Sequence, residues 1–331
     1  MKLPVVNHQD YVAKINDDNK FPIRKFGELA NYLINQKIVD RFYKPDYCSE
    51  ETLSRAHSLE YIASIKKKTI DTKSQKKIGF PINDSVVNRS FRATGGTVLA
   101  SKLAIDHRIA CNTAGGSHHA TYNEGAGYCV FNDVAVATRY LQSKGYVKNV
   151  LIVDLDVHQG NGTSDIFKND KSVFTFSMHC KSNYPAKKNK GDLDVSLDDN
   201  IEDEEYLKKL KDNILLLNKE KYDFVFYVAG VDIHLNDRLG KLKVSEKGIK
   251  QRDEIIINNF FEKTSDTIRN IPLAFSFPCW PPCRGRLPAG RCHRRSRRGP
   301  GRRGRVGGNR RPCRAAETGR GGGAGPDGRR R

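Results

Sequence analysis

The run Asn149-Val150-Leu151-Ile152-Val153 leads into Asp154-Leu155-Asp156-Val157-His158, and this stretch constrains the fold more than any other. Val150 to Val153 lacks polar alternation, the pattern of a strand covered on both faces in a parallel sheet. Successive side chains of a strand point to opposite faces, so Asp154, Asp156 and His158 are expected on one face and Leu155 and Val157 on the other. Carboxylates beside a core are costly unless a cation or hydrogen bonds compensate them, and Asp with His is a ligand set suited to zinc. Gly160 and Gly162 follow, and they are expected to let the backbone turn tightly around that spot.

Further strand-like runs lie at 108–113, 173–178, 224–232 and 272–277, besides 149–154. Helical patterns lie between them at 25–36, 51–67, 88–105, 132–144, 204–219 and 245–270. Strands alternating with helices predict an α/β fold, a single parallel sheet with helices on both faces in three layers. Ligands of such sheets bind beyond the carboxyl ends of the strands. Polar residues stand at those ends: Gly115-Gly116-Ser117-His118-His119, then Asp156 and His158, then His179, then Asp232. The four ends are expected to share one site, with His179 either behind it or purely structural.

The formal charge of +20 suggests a nucleic-acid partner, but it is concentrated at one end. Residues 278–331 hold 17 Arg, 13 Gly, 7 Pro and two acids, which leaves only +5 on residues 1–277. A segment so poor in aliphatic residues cannot offset the entropy of ordering. The expected organisation is therefore an α/β domain over 1–277, C-terminally incomplete, and a disordered or out-of-frame tail over 278–331. Such a tail binds nucleic acid only non-specifically, through phosphates. Cys279, Cys283, Cys292 and His293 are too irregularly spaced to read as a zinc site. With no stretch approaching the ~18 apolar residues of a membrane span and no signal-peptide pattern at the start, the expectation is a cytoplasmic protein, or a nuclear one in a eukaryote.

Two constellations carry chemistry. Asp156, His158 and Asp232 supply two carboxylates and an imidazole, which leaves coordination positions open for a water and a substrate oxygen. Adjacent His118 and His119 can accept and donate protons if carboxylate or amide partners fix their tautomers, and Asp154 and Asn161 are the available partners. Gly115-Gly116-Ser117-His118-His119 with Gly127-Tyr128-Cys129 and Asn132-Asp133, the Asp154-to-Gly162 segment, and Ala229-Gly230-Val231-Asp232 together resemble the zinc-dependent histone deacetylase family. Phe21 to Phe26 and Asn183-Tyr184-Pro185 are similar to segments of its bacterial and class IV branch.

The resemblance implies the arginase/deacetylase-like fold and hydrolysis of the amide of acetyl-lysine in a protein, or of an acetylated polyamine. It implies one zinc ion on Asp156, His158 and Asp232, with His118 and His119 as the proton-transfer pair, oriented by Asp154 and Asn161. Tyr128 and Tyr184 would wall a narrow tunnel, and the Gly127 carbonyl would accept the substrate N–H. The family also has a Gly-Gly-Tyr turn after the strand at 272–277, whose hydroxyl binds the developing oxyanion. Here Pro278-Cys279-Trp280 follows, and the last tyrosine is Tyr227. Losing one oxyanion donor costs about 10²–10³ in turnover, so a weak enzyme is expected. Two other readings stay open: an acyl-lysine-binding protein that does not cleave, and an arginase-like hydrolase with two metals. The second would need an acid where Gly160 stands.

Overall fold

The structure is a computed structural model, described over residues 3–16, 18–218, 221–260 and 273–276. Its strands are β1 (Val5–Val6), β2 (Ile109–Asn112), β3 (Val150–Asp154), β4 (Val173–Cys180), β5 (Leu193–Leu197), β6 (Phe224–Val228) and β7 (Leu273–Ser276). They form one sheet in the order β1-β2-β7-β6-β3-β4-β5, and all registered pairs are parallel. The unalternating run of β3 has the expected cause. Val150 and Ile152 join the core on one face, and Leu151 and Val153 join the core on the other. With β6 on one side and β4 on the other, β3 is an interior strand next to the central β6, so its carboxyl end opens near the middle of the sheet.

The helices are α1 (Lys25–Asn35), α2 (Glu50–Leu53), α3 (Leu59–Lys67), α4 (Thr72–Ile78), α5 (Asp84–His107), α6 (Asp133–Ser143), α7 (Asn161–Phe167), α8 (Asp203–Leu217) and α9 (Glu246–Phe260). Residues of α1, α3, α5 and α6 pack in one core layer, and those of α8 and α9 pack in the other. None of the described helices is long and apolar enough to cross a membrane.

Local chemistry explains where these bounds depart from the sequence pattern. The expected helix over 51–67 is two helices, because Ser58 starts a new one by accepting from the Tyr61 N–H at 3.2 Å. The helix expected from Asn88 begins at Asp84, capped by Asn83 Oδ1 on the Val86 N–H at 2.9 Å. Short elements lacking a full period were not legible: β1, β5, α4 and α7. The stretch expected as strand to residue 232 leaves the sheet after Val228. The remainder of the predicted 245–270 helix, Phe277, the position of the Gly-Gly-Tyr turn and the tail at 278–331 lie outside the described residues.

Candidate active site

Strand β3 ends at Asp154, yet the alternation continues beyond it. Leu155 and Val157 are buried in the core shared with α8 and α9, while Asp156 and His158 line a cavity of ≈350 Å³ together with Asp232. Side-chain bonds to the backbone replace the lost ladder: Asp154 Oδ1 accepts from the Asp156 N–H at 3.2 Å, and Asp156 Oδ1 from the His158 N–H at 2.8 Å. Asp232 arrives four residues beyond β6, and its Oδ1 accepts from the Val157 N–H at 2.9 Å. The two strand ends are thus stitched together by one of the carboxylates.

Ligand atoms of Asp156, His158 and Asp232 lie within 4.8 Å of one another, and among the described residues no other such group of His, Cys, Asp or Glu occurs. His158 Nδ1 is 2.9 Å from Asp156 Oδ1 and 3.1 Å from Asp232 Oδ2. Burial works against an imidazolium here, but these two bonds outweigh it and hold the His158 pKa at about 10. Burial and the neighbouring Asp232 push Asp156 up to about 6. For Asp232 burial is overcome by the bonds from His158 and the Val157 N–H, and its pKa stays low. Two buried carboxylates therefore compete for one positive charge. A divalent cation on Nδ1 would displace that proton and supply the missing charge, so the donor set fits such an ion.

His118 and His119 stand beside this group, their ring centroids 4.1 Å apart. His118 Nδ1 is 2.6 Å from Asp154 Oδ2, and its Nε2 is 3.8 Å from Asp156 Oδ1. Burial opposes its charge, but Asp154 and Asp156 prevail and raise its pKa to about 9. His119 is the opposite case: burial, and then the charges of His118 and His158, hold its pKa well below the ordinary value. Its Nδ1 is 2.7 Å from Asn161 Oδ1. Because an amide oxygen only accepts, the proton sits on Nδ1 and Nε2 is left as an acceptor. Two adjacent histidines thus differ in charge because one faces a carboxylate and the other an amide.

The loop bearing the pair is fixed at both ends. Asp133 at the start of α6 accepts from the Gly116 N–H at 3.0 Å and the Ser117 N–H at 2.6 Å. In the first turn of α7 the N–H groups of Gly162 and Thr163 donate to the His118 carbonyl at 3.0 and 3.1 Å. The glycines after His158 were expected to serve a tight turn, but the structure gives another reason. A Cβ at Gly160 would lie 2.2 Å from Asp154 Oδ2, and one at Gly162 2.3 Å from the Ala120 carbonyl. Both permit close approach; neither has a positive φ.

Tyr128 and Tyr184 both line the cavity, as does Gly127. Tyr184 meets His119 edge-on, centroids 4.8 Å apart at 85°. Gly127 and Tyr128 have φ of +54° and +65°, sparsely populated for a tyrosine. The end of α4 holds them there, its Lys77 and Ile78 carbonyls accepting from their N–H groups at 3.1 and 2.6 Å. Sequence reading missed this cradle and the cavity-lining Lys20, Ser182, Asp237 and Leu239, and it marked Phe21, Pro22 and Asn183 as family-like segments without placing them on the cavity they also line. Asn183 ties its segment to that of Leu239 by donating from Nδ2 to the Leu239 carbonyl at 2.7 Å. His179 does not line the cavity; it is buried with Nδ1 3.1 Å from Ser177 Oγ.

Known proteins resemble this chain in sequence and in fold. The family model for the histone deacetylase domain matches residues 21–268. An uncharacterized protein of Picosynechococcus sp. is 43% identical over 261 residues, covering 78% of this chain and 87% of the relative. Histone deacetylase 2 of Arabidopsis thaliana is 30% identical over 265 residues, covering 76% and 67%. Among solved structures, an HDAC homolog from Aquifex aeolicus superposes with a TM-score of 0.73 at 23% identity, covering 84% of this chain and 79% of its own, a likeness of fold.

Proposed function

The chain belongs to the histone deacetylase family, and on that premise we propose that it hydrolyses the amide of an acylated amine, acetyl-lysine in a protein or an acetylated polyamine, with one zinc ion held by Asp156, His158 and Asp232. The observation that carries this reading is the convergence of those three side chains with the oppositely charged pair His118 and His119 on one cavity. Asp156, His158 and Asp232 would hold a divalent ion, which would supply Lewis acidity for the acyl carbonyl and for a water.

The chain's own residues supply the rest. Tyr128 and Tyr184 bracket an apolar stem, and the Gly127 carbonyl accepts the amide N–H of the substrate. Neutral His119 takes a proton at Nε2 from the attacking water while Asn161 keeps its Nδ1 protonated. His118, charged against Asp154, favours the developing negative charge on the substrate oxygen. Protonated His119 then returns its proton to the departing amine. Gly160, where an arginase-like site would need an acid, supports one metal rather than two.

The reaction is expected to be slow, because no tyrosine follows Tyr227 and the Tyr227 hydroxyl donates to Asp253 Oδ1 at 2.5 Å. The same absence favours a second reading, retention of an acyl-lysine without cleavage. Zinc-loaded protein incubated with an acetyl-lysine peptide distinguishes the readings. Slow release of acetate, faster on trifluoroacetyl-lysine, supports a weak hydrolase, and tight binding with no acetate supports a binding protein. Turnover on acetyl-lysine at a rate typical of intact relatives removes the claim of impairment.

A further inference from the structure

Arg252 of α9 is fully buried, and its charge serves none of the steps above. Its Nη1 donates to the Gly230 carbonyl and, at 3.4 Å, to the Leu155 carbonyl. Those residues lie two before Asp232 and one before Asp156. On the other side of the fork Nε donates to Asp253 Oδ1 at 2.9 Å, while Nη2 lies 2.8 Å from that oxygen as an ion pair without hydrogen-bond geometry, and the same oxygen accepts from the Tyr227 hydroxyl. The guanidinium carbon lies 5.7 Å from the centre of the Tyr227 ring.

The registered pairing of β3 with β6 ends at Asp154 and Val228. Beyond that point the two segments approach so closely that a Cβ on Gly230 would be 2.4 Å from Asp156 Cα. Val157 and Asp232 tie them on the cavity side, and one guanidinium spans them from behind. A buried cation is costly, and a planar fork can satisfy two carbonyls and a carboxylate at once where a flexible ammonium cannot. We propose that Arg252 is a positioning residue for the metal-binding group, fixing the separation of Asp156 and Asp232 through the carbonyls of Leu155 and Gly230. This inference rests on the metal reading given above.

Cobalt(II) is the probe. The full chain, stripped with a chelator, is titrated with Co²⁺, and its affinity and visible absorption are recorded well below the melting temperature of each variant. Arg252→Lys keeps the charge but loses the fork, and it is expected to weaken Co²⁺ about 10–100-fold, the range for outer partners of metal ligands, and to alter the absorption band. Asp253→Asn, which weakens the grip on the guanidinium at a partly exposed position, is expected to shift affinity in the same direction by less, and it carries the test if Arg252→Lys does not fold. Ile256→Val, one turn along the same buried face of α9, should loosen packing and leave Co²⁺ affinity unchanged. Wild-type affinity and spectrum in the Arg and Asp variants overturn this inference alone, as does an equal loss in Ile256→Val. Failure of the wild-type chain to bind Co²⁺ overturns the metal reading and this inference with it.

Discussion

Acid should loosen the protein through His57, a residue outside the proposed chemistry. Its ring is fully buried against Tyr61 and Phe131, and its Nε2 accepts from the Asn132 N–H at 2.9 Å. Burial holds its pKa down, from 6.5 to about 4, although nearby backbone groups of Thr121 and Tyr122 oppose this. The folded chain therefore refuses a proton that the unfolded chain accepts between pH 6.5 and 4. Stability from neutral His57 is complete above pH 6.5, falls through that window and levels off below pH 4. At 1.36 kcal/mol per pKa unit the full loss is about 3 kcal/mol, and most of it is gone by pH 4.5. Denaturant unfolding at pH 7 and 4.5 of the wild type and of His57→Gln, whose amide oxygen can still accept, isolates this effect from the carboxylates. The wild type should lose about 2–3 kcal/mol more than the variant over that interval. Equal losses in the two proteins would refute the assignment. Asn132 also donates from Nδ2 to the Ala120 carbonyl, so the loss should extend to the loop carrying His118 and His119.

Four further outcomes are expected. Asp156→Ala should cost more zinc affinity than the ~10–100-fold typical of an outer partner, read by chelator competition. In the wild type, zinc at 100 times its dissociation constant should stabilise the fold by about 2.7 kcal/mol in thermal or denaturant unfolding. Gly127→Ala places a Cβ 2.5 Å from His119 Cδ2 at a φ of +54°, and should lower kcat at least tenfold by displacing the ring. The left-handed conformation adds about 1–2 kcal/mol of instability, and unchanged kcat and melting temperature would contradict both effects. Tyr61→Phe removes the hydroxyl that donates to the Val130 carbonyl at 2.7 Å, and should cost about 1–3 kcal/mol by urea unfolding with zinc affinity unaltered.

The chain itself carried the sheet class and the residues of the candidate site, because both depend on short-range pattern. The short β-branched apolar run of β3 has the pattern of a strand covered on both sides, and alternation then sends Asp156 and His158 the same way. Motif spacing brought in Asp232, His118 and His119. The tertiary structure decided what depends on neighbours distant in sequence. It made His118 charged and His119 neutral by placing a carboxylate behind one and an amide behind the other. It seated Tyr128 in a left-handed conformation on the end of α4, a helix too short to show a period. It gave Gly160 and Gly162 their purpose, since clearance to Asp154 and Ala120 exists only once the strands and loops have met. It also buried Arg252 behind the two strand ends, where a charged side chain on a surface helix would suggest solvent. Side-chain periodicity is local and survives in the sequence, whereas a proton's location, a close approach and a buried charge are set by groups that only folding brings within a few ångströms.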